Sequence, residues 1–345
     1  MKDFRASFIV TLLLGGIAAW WGAAHGTGAG PAVMLTLVLG VMEVSLSFDN
    51  AVVNASVLKT MDAFWQKLFM TLGMLVAVFG MRLLFPIAIV AVAADMNMAD
   101  VTRLALSAPA EYAHHLESGH VLISAFGSMF LLLVFLGFLF DEGKELHWIG
   151  PIEKRLARLG RLKAVEVMVA LAVLLGAHTW MPLDAAAKSQ LLVAGVAGVV
   201  LFIAVSSLDG LFESGDAAPG APGALARSGA ASFIYLEVLD ASFSFDGVIG
   251  AFAITRDVVI IMLGLAIGAM FVRSLTVHLV RRGTLDEYVF LEHGAHYGIG
   301  ALAVIMLASL VVHVSEVVTG LIGFAFIALA LVSSVRHRGR AEAHE

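Results

Sequence analysis

Cysteine is missing altogether from the 345 residues, and charge is scarce, with Asp, Glu, Lys and Arg together at 14%. The first absence excludes disulfides, thiol nucleophiles and thiolate-held metal clusters, leaving only histidine and oxygen as strong ion ligands. The second sets the chain apart from soluble domains, in which about a quarter of residues are charged. A basic surplus is missing too. With 21 Lys and Arg against 27 Asp and Glu, the formal net charge is −6, and no basic region offers itself to nucleic acid.

What is abundant is apolar: 60% of the residues are hydrophobic. Runs of about 18 or more such residues recur from end to end, each long enough to cross a bilayer. The implied fold class is an all-α polytopic membrane protein, a single transmembrane domain over 1–345, with about nine or ten spans. Spans are expected near 6–24, 32–58, 67–93, 120–140, 165–182, 189–208, 230–254, 257–280, 297–313 and 315–335. The opening MKDFRASFIVTLLLGG has a basic start, but its apolar run is long for a cleaved leader, so it reads as an uncleaved first span.

Orientation follows from Lys and Arg in short loops. Lys2 and Arg5, Lys59 and Lys67, the linker 141–164 (with Lys144, Lys154, Arg155, Arg158, Arg161 and Lys163), Arg281 and Arg282, and the closing RHRGR all fall on one side of a ten-span layout. That side is assigned to the cytoplasm of an inner-membrane protein, with both termini there. The segment 94–119 then falls outside as a loop rich in acid and histidine. Residues 151–163 carry Ile152, Leu156 and Leu159 at helical spacing opposite basic residues, which suits either a helix lying on the inner leaflet or a solvated linker helix. Residues 209–229, rich in Gly, Pro and Ala, read as a flexible loop between two halves.

A repeat joins those halves, about 32–140 and 230–335. SLSFDNAVVNA aligns with SFSFDGVIGAF, matching Ser45, Ser47, Phe48 and Asp49 to Ser242, Ser244, Phe245 and Asp246. Six residues before each aspartate stands another acid, Glu43 or Asp240. Downstream, LGMLVAVFGMR ends on Arg82 and LGLAIGAMFVR on Arg273. The acidic spans are second and seventh in order, so they cross in opposite directions. That is an inverted repeat, the build of many secondary transporters, whose sites lie at the midplane between halves.

A helix places positions 0, 4, 7 and 11 on one face, which gathers Glu43, Ser47, Asn50 and Asn54; Glu237, Asp240 and Ser244 cluster likewise. Asp49 and Asp246 lie about 120° round from their upstream acids on a regular helix. Either they serve a different partner, or the helix breaks there, with Gly247 and Gly250 easing a break in the second copy. Each charge at bilayer depth costs about 2.5–3.5 kcal/mol on insertion scales. Five acids and two arginines are tolerated there when they face one another, water or a cation. Arg82 and Arg273 are best suited as counter-charges, and a divalent cation would balance what remains. Carboxylate, amide and hydroxyl oxygens suit Mg, Ca or Mn. The competing structural reading is a set of buried acid–arginine pairs that only hold helices together. Glu111, His114, His115, Glu117 and His120 form a weaker candidate group, read first as a solvated loop. Glu292, His293 and His296, read as loop residues, and His313 near Glu316 are weaker still.

E-V-S-L-S-F-D-N at 43–50 and E-V-L-D-A-S-F-S-F-D at 237–246 resemble the signature helices of the TerC-like integral membrane proteins, and most closely the DUF475 branch. The resemblance covers roughly 32–93 and 230–282. It implies kinship with LysE-type exporters, among them manganese exporters and proteins tied to tellurite resistance. It also implies Glu43, Asp49, Asn50, Glu237, Asp240 and Asp246 as ion-binding positions, with Ser47, Asn54, Ser244, Arg82 and Arg273 in support. The second motif departs at Gly247, where a serine is expected.

The expected function is therefore export of a divalent cation, Mn²⁺ above all, by alternating access, with protons competing for the same carboxylates. The partners are that ion and the lipid bilayer, with no resident cofactor and no enzymatic activity. Two rivals remain at this point. One is an intramembrane aspartyl protease using Asp49 and Asp246, although the GxGD wording of such enzymes is missing. The other is a non-transporting stress-response factor of the membrane.

Overall fold

The computed structural model describes residues 3–73, 75–76, 80, 82, 84–93, 95–162, 164–212 and 229–342, and most of the loop expected at 209–229 lies outside these. Regular structure among the described residues is entirely helical. In chain order it comprises α1 (Arg5–Ala24), α2 (Ala29–Leu46), α3 (Phe48–Leu58), α4 (Ala63–Leu68), a π-helical turn (Phe69–Gly73), α5 (Phe85–Ala93), α6 (Met98–Ser107), α7 (Pro109–Ser118) and α8 (His120–Leu139). Then follow α9 (Pro151–Ala157), a 3₁₀ turn (Arg158–Arg161), α10 (Val165–Trp180), α11 (Ala185–Phe212), α12 (Gly229–Ile254), α13 (Val258–Arg282), α14 (Thr284–Glu287), α15 (Leu291–Ala308) and α16 (Glu316–Glu342).

Six of these, α1, α2, α8, α11, α13 and α16, are long and apolar enough to cross a membrane. The chain is a multi-pass membrane protein. The four other expected spans coincide with helices that are broken (α4 to α5), short (α10, 16 residues), acid-bearing (α12) or opened by Glu292 and two histidines (α15). The periphery fits a lipid solvent. Met34, Leu37, Val38 and Val41 form one exposed apolar stripe on α2, and Leu321, Phe324, Leu329 and Val332 an apolar surface on α16.

Two stretches expected as loop are helical. Segment 94–119 folds into α6 and α7 because Asn97 caps the first, its side chain accepting from the Asp100 N–H at 2.9 Å, and Pro109 opens the second. Val101, Ala105, Tyr112 and Leu116 are then buried against the bundle. Likewise α15 begins at Leu291, so Glu292, His293 and His296 occupy its first turns, with both histidines buried.

The acidic helix of the first half is held in place by glycine. A Cβ on Gly264 would stand 2.5 Å from the Leu39 Cβ and 2.9 Å from the Thr36 carbonyl, and one on Gly268 would collide with the Glu43 Cβ. The pair Gly264/Gly268, four residues apart on α13, thus lets α2 approach to backbone contact, the small-residue packing that membranes favour. In the other half, Gly73, the repeat partner of Gly264, has its open side against Glu237 Oε1, where a Cβ would stand at 2.6 Å. In each half the arginine-bearing segment makes room for the other half's acidic helix.

Candidate ion-binding site

The two acidic helices differ at the point of interest. The first breaks: α2 ends at Leu46, Ser47 takes φ −105° and ψ 18°, and α3 restarts at Phe48. The second does not break, and α12 runs through Gly247 and Gly250 without interruption. Both options left open for Asp49 are realised. It stands in the first turn of α3, and its carboxylate serves a different partner, facing Gly298 of α15 and Gly323 of α16, whose built Cβ positions would lie 3.1 and 3.3 Å from Oδ2. Asp49 also accepts from the Asn50 N–H at 2.9 Å.

The stripe of Glu43, Ser47, Asn50 and Asn54 turns the other way, into the contact with α12. Glu43 and Asn50 are each 1% exposed. Arg82 makes a close, buried ion pair with Glu43, and its Nη1 lies 3.8 Å from Asp240 Oδ2. Ser47 donates its hydroxyl to Glu43 Oε1 at 3.2 Å, and Asn50 Nδ2 donates to Asp240 Oδ1 at 2.9 Å. Arg273 donates to the Phe69 carbonyl at 3.1 Å, holding the π-helical turn. Arg82 thus sits as a counter-charge between Glu43 and Asp240, whereas the contact of Arg273 is to a neutral carbonyl. Asp246 belongs to α12 by its backbone, but its side chain lies outside the described residues.

One group of atoms in this contact stays unsatisfied. Both carboxylate oxygens of Glu237, Asp240 Oδ2, Asn50 Oδ1, Asn54 Oδ1 and Ser244 Oγ are buried with no hydrogen bond. Five of the six can only accept. Orphaned buried oxygens are rare because each costs about 1–3 kcal/mol. Glu237, Asp240 and Asn54 line a cavity of about 40 Å³, together with Arg82, Arg273, Phe69, Gly73 and Thr276. That volume accepts a water or a small ion. A cation is the partner such a set lacks, since it would meet several acceptors at once where a hydrogen-bond donor meets one or two.

Larger cavities open at opposite ends of the bundle. One, about 640 Å³, lies at the basic linker end and is lined by Ser56 of α3 and Thr60 in the turn after it, Phe138 after Gly137 of α8, and Glu292 and His296 of α15. The other, about 480 Å³, is lined by Leu46, by His120 at the start of α8, and by Met306 and Ser309 at the far end of α15. Asp49 and its contact Gly298 fall between them along the same two helices, α3 and α15.

The histidine group at 111–120 divides, and part of it meets His313: Glu117, His120 and His313 line the cavity of about 480 Å³ together. Glu111, His114 and Glu117 are exposed on α7, whereas His120 shares Nε2 with Ser124 at 3.1 Å and Ser309 at 3.3 Å. Among the described residues no three His, Asp or Glu side chains form a ready-made metal cage. Glu292 and His296 rank low in the sequence because they read as loop residues; their spacing of four, one helical turn, is the signal that places them on one helix face.

An all-helical bundle with acids and arginines closed inside defines a class, the polytopic membrane proteins with a buried polar site. Within it, the model of the family described as "Protein of unknown function (DUF475)" matches residues 48–341, and the chain belongs to that family. No curated protein and no solved structure matches it.

Proposed function

We propose that the protein is a secondary transporter that exports a divalent cation, with Mn²⁺ the leading candidate, across the inner membrane by alternating access. The observation that carries this reading is the set of buried acceptor oxygens without a hydrogen bond on Glu237, Asp240 and Asn54, which line a cavity of about 40 Å³, and on Asn50, which bonds to Asp240 beside it. Structural ion pairs do not account for all of it: Arg82 is shared between Glu43 and Asp240, while Glu237 accepts no hydrogen bond among the described residues. In this reading Glu237, Asp240, Asn50 and Asn54 replace part of the ion's water shell. Arg82 and Arg273 limit the net charge so that the ion can leave again. Asp49, between the two end cavities, is the carboxylate that hands the ion on, and Asp246 completes the repeat.

Hard oxygen ligands select Mg, Ca or Mn over Zn or Cu. The choice of Mn²⁺ and of export rests on the resemblance of the 43–50 and 237–246 motifs to the TerC-like proteins within the LysE-type exporters. The excess of Lys and Arg in alternate loops supports cytoplasmic termini. Protons compete with the ion for the same carboxylates, which supplies a route to proton coupling.

The test is uptake of ⁵⁴Mn²⁺ into proteoliposomes holding the purified full chain, with Mg²⁺, Ca²⁺ and Zn²⁺ as competitors. Saturable uptake blocked by excess Mn²⁺ and abolished in Glu237→Gln is expected. Uptake that is absent, or equal in the two proteins, refutes the reading.

A further inference from the structure

The cavity at the basic end is not explained by the site above. Its wall is acidic although the surrounding linker is basic: Asp141, Glu142, Glu166 and Glu292 line it. Glu142 is paired with Arg161 at 3.2 Å, but among the described residues Asp141, Glu166 and Glu292 have no ion pair, and Lys144 is committed elsewhere, in a close buried ion pair with Glu153. Acids alone would be an ordinary solvated surface. The second observation is His296, which also lines the cavity and is only 8% exposed. Its Nδ1 lies 2.9 Å from the Glu292 backbone carbonyl. A carbonyl only accepts, so Nδ1 carries the proton and the neutral ring keeps its lone pair on Nε2. Among the described residues Nε2 has no partner.

Such a hydrogen bond on the far ring nitrogen is how metal-binding histidines are oriented and fixed in tautomer. The ring itself cannot easily swing away, because it stacks on Phe138 with centroids 4.0 Å apart and an interplanar angle of 10°. We infer that this cavity is a second divalent-cation site, with His296 Nε2 as its fixed inner ligand and the carboxylates of Glu292, Asp141 and Glu166 as its attracting wall. No three described acid or imidazole groups close on one point, so the ion keeps most of its water. Occupancy is consequently weak, with Kd of about 0.1–1 mM, the range of loosely caged ions, and exchange is fast. That is a loading station for an ion and not a store. Its place in transport rests on the function proposed above; the binding itself does not.

Chemistry separates the two sites. The cavity around Glu237 offers oxygen and no imidazole, so histidine nitrogen bonded to the ion does not come from there. The experiment is pulsed electron paramagnetic resonance of Mn²⁺ added to the purified full chain in detergent, with and without ¹⁵N-histidine. A histidine nitrogen modulation that changes with the isotope is expected. It should disappear in His296→Gln and persist in His313→Gln and in Glu237→Gln. Glu292→Gln, which leaves the imidazole in place, should weaken the Mn²⁺ titration about fivefold, the effect of losing one nearby charge in partly screened surroundings. Absence of the modulation in wild type, or its survival in His296→Gln, overturns the inference whatever the flux measurement gives. Should flux fail while the modulation is present and lost in His296→Gln, the site stands and only the transport reading falls.

Discussion

Two buried glutamates meet opposite fates in this molecule. Glu153, at the start of α9, is fully enclosed, yet both its oxygens are engaged: Lys144 pairs closely with Oε1, the Ile149 N–H donates to Oε2 at 3.1 Å, and His293 Nε2 stands 3.6 Å from Oε1. Glu237, on α12, is nearly as buried and its oxygens accept nothing. Desolvation is costly for both, but only the first recovers it within the chain. A buried acid with its partners present fixes a linker against the bundle. A buried acid without hydrogen-bond donors marks a place where something from outside completes the structure.

The largest effect that tests this contrast is on transport. Glu237→Gln is expected to lower Mn²⁺ flux in proteoliposomes at least about 100-fold, the equivalent of about 3 kcal/mol of lost charge-assisted binding. Its thermal stability without divalent cation should be unchanged or higher, since an unsatisfied charge has been removed. Wild-type flux in that variant would break the comparison. Asp49→Asn is expected to abolish efflux equally while the protein remains in the membrane. Cells carrying it that resist manganese as well as wild type would remove Asp49 from the path.

Glu153→Gln should do the reverse, leaving flux per folded molecule intact while costing about 3 kcal/mol of stability, because Lys144 loses its counter-charge in a buried setting. Thermal unfolding in detergent reads it, and an unchanged melting temperature would make Glu153 no different from a surface acid. The smallest effect is on pH dependence. Burial by itself would raise the Glu153 carboxyl, but the hydrogen bond and charge of Lys144, with the Ile149 N–H, more than offset it and hold the group below its ordinary value of 4.5. A lowered carboxyl stabilises the fold fully above that value and loses its contribution as pH falls through the folded value. Wild type should therefore lose stability below about pH 4.5 more steeply than Glu153→Gln, and parallel acid titrations of the two would contradict the assignment.

Most of the site was legible because charge inside an apolar run is hard to mistake. The helical stripe from Glu43 to Asn54 follows from spacing at 100° per residue, which also turns Asp49 away from it, and the counter-charge reading of the arginines follows from the cost of charge in lipid. What spacing could not decide was which acid each arginine takes. Arg82 belongs to the first half and reaches Asp240 of the second, a contact nearly 160 residues distant along the chain and set only by how the helices cross. The loop expected at 94–119 failed for a local reason, since the Asn97 cap and Pro109 were outweighed by polarity in the reading. His296 ranks low in the sequence because a histidine four residues after a glutamate looks alike in a loop and in a buried turn.

By itself the sequence determined the solvent, six of the expected spans and the polar stripes, since hydropathy and helical period are local properties carried by each segment alone. Only the tertiary structure decided which oxygens would be left without partners. Satisfaction of a buried acid depends on what the neighbouring helices bring to within hydrogen-bond reach, and that follows from where Gly73, Gly264 and Gly268 let backbones meet.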